Sequence, residues 1–467
     1  MNKKEAFRYG KRIFFTIFTQ GLLSGASIII GFGLPKFLNI DEYARWQLYY
    51  FYVAYVNYLQ LGFNDGLILN LSGQSFNNLP WKNIKKSTVY IVGYLLMLSV
   101  FILLGGRFLN VPNYTVLKWL VVSIIPTVLM CSFSAVLLAG NKTYEYNLFS
   151  LLIKIVFVIL LMLGLASNKT TADFYIWGDI ISKCAVTCIF ALYERKNMRG
   201  LSGEIVCVRE FVKKNCKTGI IVATTVLILG LLPMCGRIVI QIFGTDNEYA
   251  WFSFAISMLS IILTFTNAIG TVAFPMLKNS NESMETEYTL LSKLYDEILN
   301  ICMLGLGIID IVIWGFLPEY ASVLIYFPIL FSACWPLGKI QIIVYPYYKL
   351  YRREKEFLKI SLCSIVGIMI FSFWGYYVGG LSGLAWVAFL GISICYEVLN
   401  MYLEGKVLYL KSSYNTWSLW RTLCFMIIGM LLDGFKFMGV YLVYIIVYYM
   451  IFWKKYRNLK NIFDNRK

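Results

Sequence analysis

Long apolar stretches, separated by short polar segments, recur along the whole chain. Most cover about 18–25 residues, enough for a helix to cross a hydrocarbon core of ~30 Å. The second and tenth stretches are interrupted by Tyr, Gln and Lys side chains. The pattern predicts an all-α, polytopic membrane protein with about fourteen transmembrane helices, over residues 13–34, 44–63, 88–105, 116–139, 146–166, 173–193, 218–242, 250–274, 294–316, 320–348, 358–377, 381–403, 417–433 and 437–453.

The composition supports this class and excludes a water-soluble protein. Hydrophobic residues make up 59% of the chain and charged residues 14%, whereas soluble proteins carry roughly 45–50% and 25%. A basic segment with Lys3 and Arg12 precedes the first stretch, as in a signal peptide. That stretch is too long for a signal peptide and is followed by no small-residue cleavage site. We therefore expect an uncleaved first transmembrane helix.

The formal net charge of +17 is distributed in a way that indicates topology. Most of the 42 Lys and Arg residues lie in alternate connections between apolar stretches. Cytoplasmic connections of membrane proteins carry such an excess of cations. We therefore expect a multi-pass protein of the cytoplasmic membrane, with the N- and C-termini in the cytoplasm. The bilayer explains the basic charge, so no nucleic-acid partner is predicted.

An internal repeat is visible at the sequence level. The segment Asp41-Glu42-Tyr43-Ala44 is echoed by Asn247-Glu248-Tyr249-Ala250, and the same offset relates Lys11 to Lys217. Two lobes of six helices with the same orientation would fit a parallel repeat. The predicted parts are an N-terminal six-helix lobe over 1–193, a basic cytoplasmic linker over 194–217, a C-terminal six-helix lobe over 218–403, and two extra transmembrane helices with a basic cytoplasmic tail over 404–467.

The chain offers little that could support enzyme chemistry. Histidine is absent, which excludes histidine bases and histidine-bearing zinc sites. The cysteines form no C-x-x-C pair, and the predicted outer loops are short. Leu337-Gly338-Lys339 lacks the upstream glycine of a phosphate-binding loop. These observations predict a protein that is not an enzyme and needs no cofactor, and transport is the function that remains.

The first quarter of the chain resembles the polysaccharide-repeat-unit flippases (O-antigen, capsule or exopolysaccharide) of the multidrug/oligosaccharidyl-lipid/polysaccharide (MOP) exporter superfamily. The resemblance rests on a Gly- and Ser-rich first stretch, a Tyr-rich second stretch and three short segments, Leu34-Pro35, Asp41-Glu42-Tyr43 and Leu61-Gly62-Phe63-Asn64-Asp65-Gly66. It implies two helical bundles that open a central cavity to either side of the membrane in turn. It also implies that an isoprenoid pyrophosphate-linked oligosaccharide is flipped outward, with a polysaccharide polymerase as a further partner. Asp65 and Gly66 are expected in a turn that follows the second helix.

Cations inside apolar stretches are costly and point to function by default. Because a water-filled cavity that handles anions would stabilise them, we predict a substrate-binding anion cavity formed by Arg237, Lys154, Lys339, Arg45 and Lys183. Other interpretations stay open. Arg45 could extend to the outer interface, and Lys183 could neutralise Asp179 four residues earlier. Lys154, Arg237 and Lys339 could form structural ion pairs with Asp310 or Glu397.

Three acidic residues within the apolar stretches, Asp310, Glu397 and Asp179, are candidates for binding a coupling H⁺ or Na⁺. No nucleotide-binding loop is present, so a gradient is the expected energy source. Glu397 could also reach water at the inner face without any function.

Two other functions compete with a lipid-linked oligosaccharide flippase. A multidrug or organic-cation antiporter of the same fold would need an acidic cavity, whereas cations outnumber acids inside the stretches. A membrane glycosyltransferase or polysaccharide polymerase would need a long outer loop or a pair of carboxylates, and the sequence has neither in a suitable place. The flippase is therefore the predicted function.

Overall fold

The computed structural model describes residues 3–109, 113–195, 207–278, 284–408 and 416–464, and every regular element in these ranges is a helix. The prediction of an all-α, polytopic membrane protein is confirmed. The first half contains α1 (Lys3–Phe37), α2 (Ile40–Tyr55), α3 (Phe63–Leu71), α4 (Trp81–Phe108), α5 (Tyr114–Ala139), α6 (Thr143–Ala166), α7 (Ala172–Glu194), α8 (Val208–Leu231) and α9 (Cys235–Phe243).

The second half continues the helical pattern, with two of its turns in π-helical form at Ile340–Val344 and Leu403–Leu408. Its helices are α10 (Asp246–Lys278), α11 (Met284–Cys302), α12 (Gly305–Phe316), α13 (Phe327–Ser332), α14 (Cys334–Lys339), α15 (Tyr345–Leu350), α16 (Glu354–Tyr402), α17 (Thr416–Leu431) and α18 (Gly434–Asp464).

Each of the fourteen predicted stretches coincides with one or more of these helices. In the described part of the chain, nine helical segments are long and apolar enough to cross a membrane, and two shorter apolar helices follow near the C-terminus. Stretches eleven and twelve both lie in α16, which reverses direction at Gly380, where φ is 55°. Its two arms touch so closely that a Cβ on Gly383 would lie 1.9 Å from the carbonyl oxygen of Gly375.

The helix bounds repeat with the offset seen in the sequence. Helix α1 ends at Phe37 and α9 ends at Phe243, 206 residues later. Helix α2 begins at Ile40 and α10 begins at Asp246, again 206 residues later. A short 3₁₀ turn at Leu232–Met234, which contains Pro233, divides the second copy of the long first helix into α8 and α9. The boundaries of the predicted lobes stay a prediction.

The described helices pack into two units. The first unit contains the chain up to Phe254 together with Tyr348–Val366. The second unit contains Ala255–Tyr347 and the chain from Gly367 onward. The core of the first unit is apolar and includes the fully buried side chains of Phe63, Ile124 and Phe149.

Helices α3 and α8 meet backbone to backbone in the first unit. A Cβ on Gly66 would lie 2.0 Å from the carbonyl oxygen of Asn215, and one on Gly219 would lie 2.0 Å from that of Gly62. Beside this contact, the amide of Asn70 donates to Oδ1 of Asn215 at 2.9 Å. Only glycine permits such an approach, so these residues fix how the two helices pack.

The placement of Asp65 and Gly66 in a turn was wrong. The chain turns earlier, where Leu61 and Gly62 have φ of 52° and 78°. Asp65 and Gly66 lie in the first turns of α3, a helix inside the segment predicted as a loop. The physical reason is the close contact with α8: Gly66 serves helix packing there, which a sequence pattern does not distinguish from a turn glycine.

Candidate functional site

Arg237 is a buried cation without a carboxylate partner. It lies on α9 in the first unit and is 3% exposed. Its Nη2 donates to the carbonyl oxygen of Ser253 at 2.8 Å, and its Nε has no hydrogen-bond partner. The described residues place no acidic group within ion-pair distance of it. An incompletely satisfied guanidinium at such a depth is costly.

Tyrosines and one glycine define the surroundings of Arg237. The tyrosines near the guanidinium are Tyr43, Tyr50, Tyr55 and Tyr249. Gly236 allows α9 to approach α10, because a Cβ there would lie 2.7 Å from the ring of Phe252. This approach brings Arg237 to the backbone of Ser253. The position related to Arg237 by the 206-residue repeat is Gly31, so the repeated helix does not itself require a cation.

Lys154, another cation of the predicted anion cavity, also has no acidic partner among the described residues. It lies half-buried on α6, and its Nζ donates to Oγ of Ser27 on α1. The hydroxyl of Ser27 in turn donates to the carbonyl oxygen of Leu23. A neutral hydroxyl satisfies one of the three Nζ donors and leaves the charge uncompensated.

Lys183 and Asp179 form an ion pair, which agrees with the interpretation that the two residues neutralise each other. Nζ of Lys183 lies 2.6 Å from Oδ2 of Asp179, and both side chains are largely buried. The hydroxyl of Tyr49 donates to the same Oδ2 at 2.8 Å, and Thr127 lies 3.4 Å from the ammonium. The pair is therefore neutral and hydrogen-bonded within the first unit.

Arg45 lies at a helix surface rather than in the interior. Its side chain is 59% exposed and its Nη1 lies 2.8 Å from Oε1 of Glu42. The other oxygen of Glu42 accepts a hydrogen bond from the backbone N–H of Ala172, at the start of α7. Arg45 thus extends toward the helix end, which agrees with the alternative that it reaches the interface.

Lys339 is paired, and its partner was not among those considered. Its Nζ lies 2.8 Å from Oδ1 of Asp296, and both side chains are buried in the second unit. Arg421 on α17 completes the cluster, with Nη2 3.1 Å from Oδ2 of Asp296 and Nη1 2.8 Å from Oε1 of Glu297. The cluster has two cations and two carboxylates. Lys339 is therefore not the uncompensated cation that an anion cavity would need.

The sequence reasoning missed the other three members of this cluster. Asp296 and Glu297 lie inside the predicted stretch 294–316, and Arg421 lies inside 417–433. Counting every charge within the predicted stretches would have found them. Only the fold reveals that they meet, because Asp296 and Arg421 are 125 residues apart in the chain.

Asp310 and Glu397, the candidate ion-binding residues of the second unit, differ in their contacts. Asp310 is buried, and its Oδ2 accepts a hydrogen bond at 3.3 Å from the backbone N–H of Gly434. It thereby caps the first residue of α18, where a negative charge is favourable. Glu397 is half-buried on α16 and makes no hydrogen bond or ion pair with the described residues, although the charges of Lys339 and Glu404 act on it.

Known structures share this fold. One is described as the lipid II flippase MurJ in an inward closed conformation, with a TM-score of 0.66 and 15% identity over 96% of this chain and 98% of that one. Another is an inward-facing multidrug resistance MATE family transporter of the MOP superfamily, with a TM-score of 0.55 and 15% identity over 87% of this chain and 95% of that one. A third is the MATE multidrug transporter DinF-BH, with a TM-score of 0.56 and 14% identity over 85% of this chain and 96% of that one.

Comparisons at the sequence level add no relative. No protein-family model matches the sequence, and no curated protein sequence matches it. At 14–15% identity the structural likeness establishes the fold alone. The chain has the all-helical, membrane-spanning fold of MOP-superfamily transporters.

Proposed function

We propose that this protein flips an isoprenoid pyrophosphate-linked oligosaccharide repeat unit across the cytoplasmic membrane by alternating access, during surface polysaccharide biosynthesis. The observation that carries the proposal is the state of Arg237, a buried guanidinium with no carboxylate partner in the described structure and an unpartnered Nε. A diphosphate is the anionic part of such a substrate. The fold, shared with a structure described as a lipid II flippase, supports the proposal.

Arg237 is suited to hold a phosphate group during transfer. Its planar fork can donate to two phosphate oxygens at once. Among the described residues only its Nη2 has a hydrogen-bond partner, the carbonyl oxygen of Ser253. A buried cation and a diphosphate in a low-dielectric site each offset the desolvation of the other. At 3% exposure, Arg237 can meet substrate only after neighbouring side chains move. Such movement fits a carrier that opens to one side at a time.

Lys154 provides a second binding position for the anion, because its charge is also uncompensated by the described residues. The cations of the first unit disfavour the alternative of an organic-cation antiporter, which would need unpaired acids there. Lys183, Arg45 and Lys339 do not contribute in this way, because each has a carboxylate partner.

We propose that an H⁺ or Na⁺ gradient drives the cycle. Glu397 is the best candidate for the coupling ion, because Asp179 is paired with Lys183 and Asp310 caps α18. Both termini are placed in the cytoplasm in this proposal, and the flipped repeat unit would pass to a polysaccharide polymerase.

Complementation of a flippase-null strain tests the function. With Arg237→Ala or Arg237→Glu we expect loss of surface polymer, and with Arg237→Lys partial activity, because a single ammonium replaces a bidentate donor. Membrane levels of each variant are measured in parallel by immunoblot. Arg107→Ala, at an exposed arginine, is the matched control and should behave like wild type. Normal polymer with Arg237→Glu would contradict the proposal.

A further inference from the structure

An open cleft lies in the first unit where α2, α5, α9 and α10 meet. Its floor is formed by the buried side chains of Leu48, Ile240 and Tyr249, and its rim by the exposed side chains of Asn113, Gln241 and Asp246. The charge pattern of the chain predicts that these helix ends lie on the outer side of the membrane. Arg237 does not line the cleft, although Tyr249 belongs to the surroundings of both.

The rim carries polar groups that make no hydrogen bond with the described residues. The side chains of Asn113 and Asp246 make no hydrogen bond with any described residue. The amide nitrogen of Gln241 donates to the hydroxyl of Tyr52, which leaves the amide oxygen of Gln241 as an acceptor. A carboxylate and two carboxamides thus face an apolar floor.

The repeat shows that two of the three polar rim positions can be apolar in an equivalent helix connection. The 206-residue repeat places Pro35 at the position of Gln241 and Ile40 at the position of Asp246. It likewise places Trp251 at the position of Arg45, another residue of the cleft. The polar side chains at these positions are therefore specific to this cleft, and a ligand would account for them.

The chemistry of the cleft fits a sugar ring. Carboxylate and carboxamide groups can bind neighbouring hydroxyls through paired hydrogen bonds, and the apolar floor can contact the C–H face of the ring. Arg45 is already paired with Glu42, so Asp246 leaves the cleft with a negative charge that disfavours acidic sugars. We propose that this cleft binds one neutral sugar residue. The proposal rests on the proposed function, because it assigns the site to the oligosaccharide part of the substrate on the outer side.

Binding of methyl α-D-glucopyranoside and of the methyl glycoside of N-acetylglucosamine to the full chain tests this site. The protein is reconstituted in lipid nanodiscs, since sugar-based detergents would compete, and binding is followed by saturation-transfer difference NMR. We expect binding to wild type, with affinity about tenfold weaker in Asp246→Asn and in Asn113→Ala. Asp41→Asn is the matched control, because Asp41 is an exposed first-turn aspartate outside the cleft. The control should bind like wild type, and methyl glucuronide should bind less well than the neutral glycosides.

The outcomes separate this site from the flippase proposal. Equal binding to wild type, Asp246→Asn and Asn113→Ala, or no binding of either glycoside to wild type, would overturn the sugar site even if polymer export is restored normally. Loss of glycoside binding in the two cleft variants would support the site. That result would stand even if Arg237→Glu supported normal polymer, which would refute the flippase proposal alone.

Discussion

The two units of this protein differ in the buried cations that they leave without a carboxylate partner among the described residues. In the second unit, Asp296 lies between Lys339 and Arg421, and Glu297 adds a second carboxylate. In the first unit, Arg237 and Lys154 are bound only by neutral oxygen atoms among the described residues. Loss of one member of a buried ion pair destabilises the fold. A buried cation without an acidic partner remains available to an anionic substrate. The difference separates cations used for structure from cations available to substrate.

The units also differ in what holds their helices together. In the first unit, Gly62, Gly66 and Gly219 allow α3 and α8 to touch along their backbones. In the second unit, α17 is attached to α11 through Arg421, and α18 to α12 through the carboxylate of Asp310. The first unit thus joins these two helices without charges, whereas the second unit adds charged contacts to close glycine contacts such as that between Gly375 and Gly383.

Removal of one cation from the second unit should have the largest effect on stability. Arg421→Ala leaves Glu297 without its cation and Asp296 with only one, so we expect a loss of about 3–5 kcal/mol in the free energy of unfolding. The loss of stability is detected as a lower melting temperature in detergent, monitored by size-exclusion chromatography of heated samples. The control is Arg353→Ala, which breaks an exposed pair with Glu356 and should cost about 0–1 kcal/mol. Equal melting temperatures for both variants would refute the structural role of the cluster.

A substitution at the backbone contact of the first unit should have an intermediate effect on stability. In Gly66→Ala the new Cβ would lie 2.0 Å from the carbonyl oxygen of Asn215, so the two helices must separate. We expect destabilisation of about 1–3 kcal/mol, seen as a lower melting temperature. Gly93→Ala is the control, because its Cβ would meet no atom within 4 Å and alanine favours helix. A Gly66→Ala protein as stable as the Gly93→Ala protein would show that this contact does not matter.

The smallest effect on stability is expected at Arg237. Arg237→Met removes an uncompensated buried charge and keeps a similar volume, so the free energy of unfolding should stay within about 1 kcal/mol of the wild-type value or rise, while polymer export is lost. Lys339→Met serves as the comparison and should lower the melting temperature, because Asp296 loses one of its two cations. If Arg237→Met destabilised the protein as strongly as Lys339→Met, the contrast between the units would be wrong.

The sequence was sufficient for the fold class and for the positions of the long apolar helices, because both follow from the local distribution of apolar residues. It was also sufficient for the Asp179–Lys183 pair, which lies on one helix face. It was insufficient for the partner of Lys339, since Asp296 is 43 residues away and no local pattern joins them. The same holds for Gly66, whose close neighbour Asn215 lies on a helix far along the chain. Partners of this kind depend on how helices pack.

The glycine contact between α3 and α8 has a consequence for biosynthesis. Asn70 and Asn215, which bond beside it, are 145 residues apart, and at about 5–20 residues per second the ribosome needs roughly 7–30 seconds to make the chain between them. During that time α3 is already made but lacks the helix that covers Gly62 and Gly66. A nascent chain that ends before α8 therefore exposes the glycine face of α3 until α8 has been made.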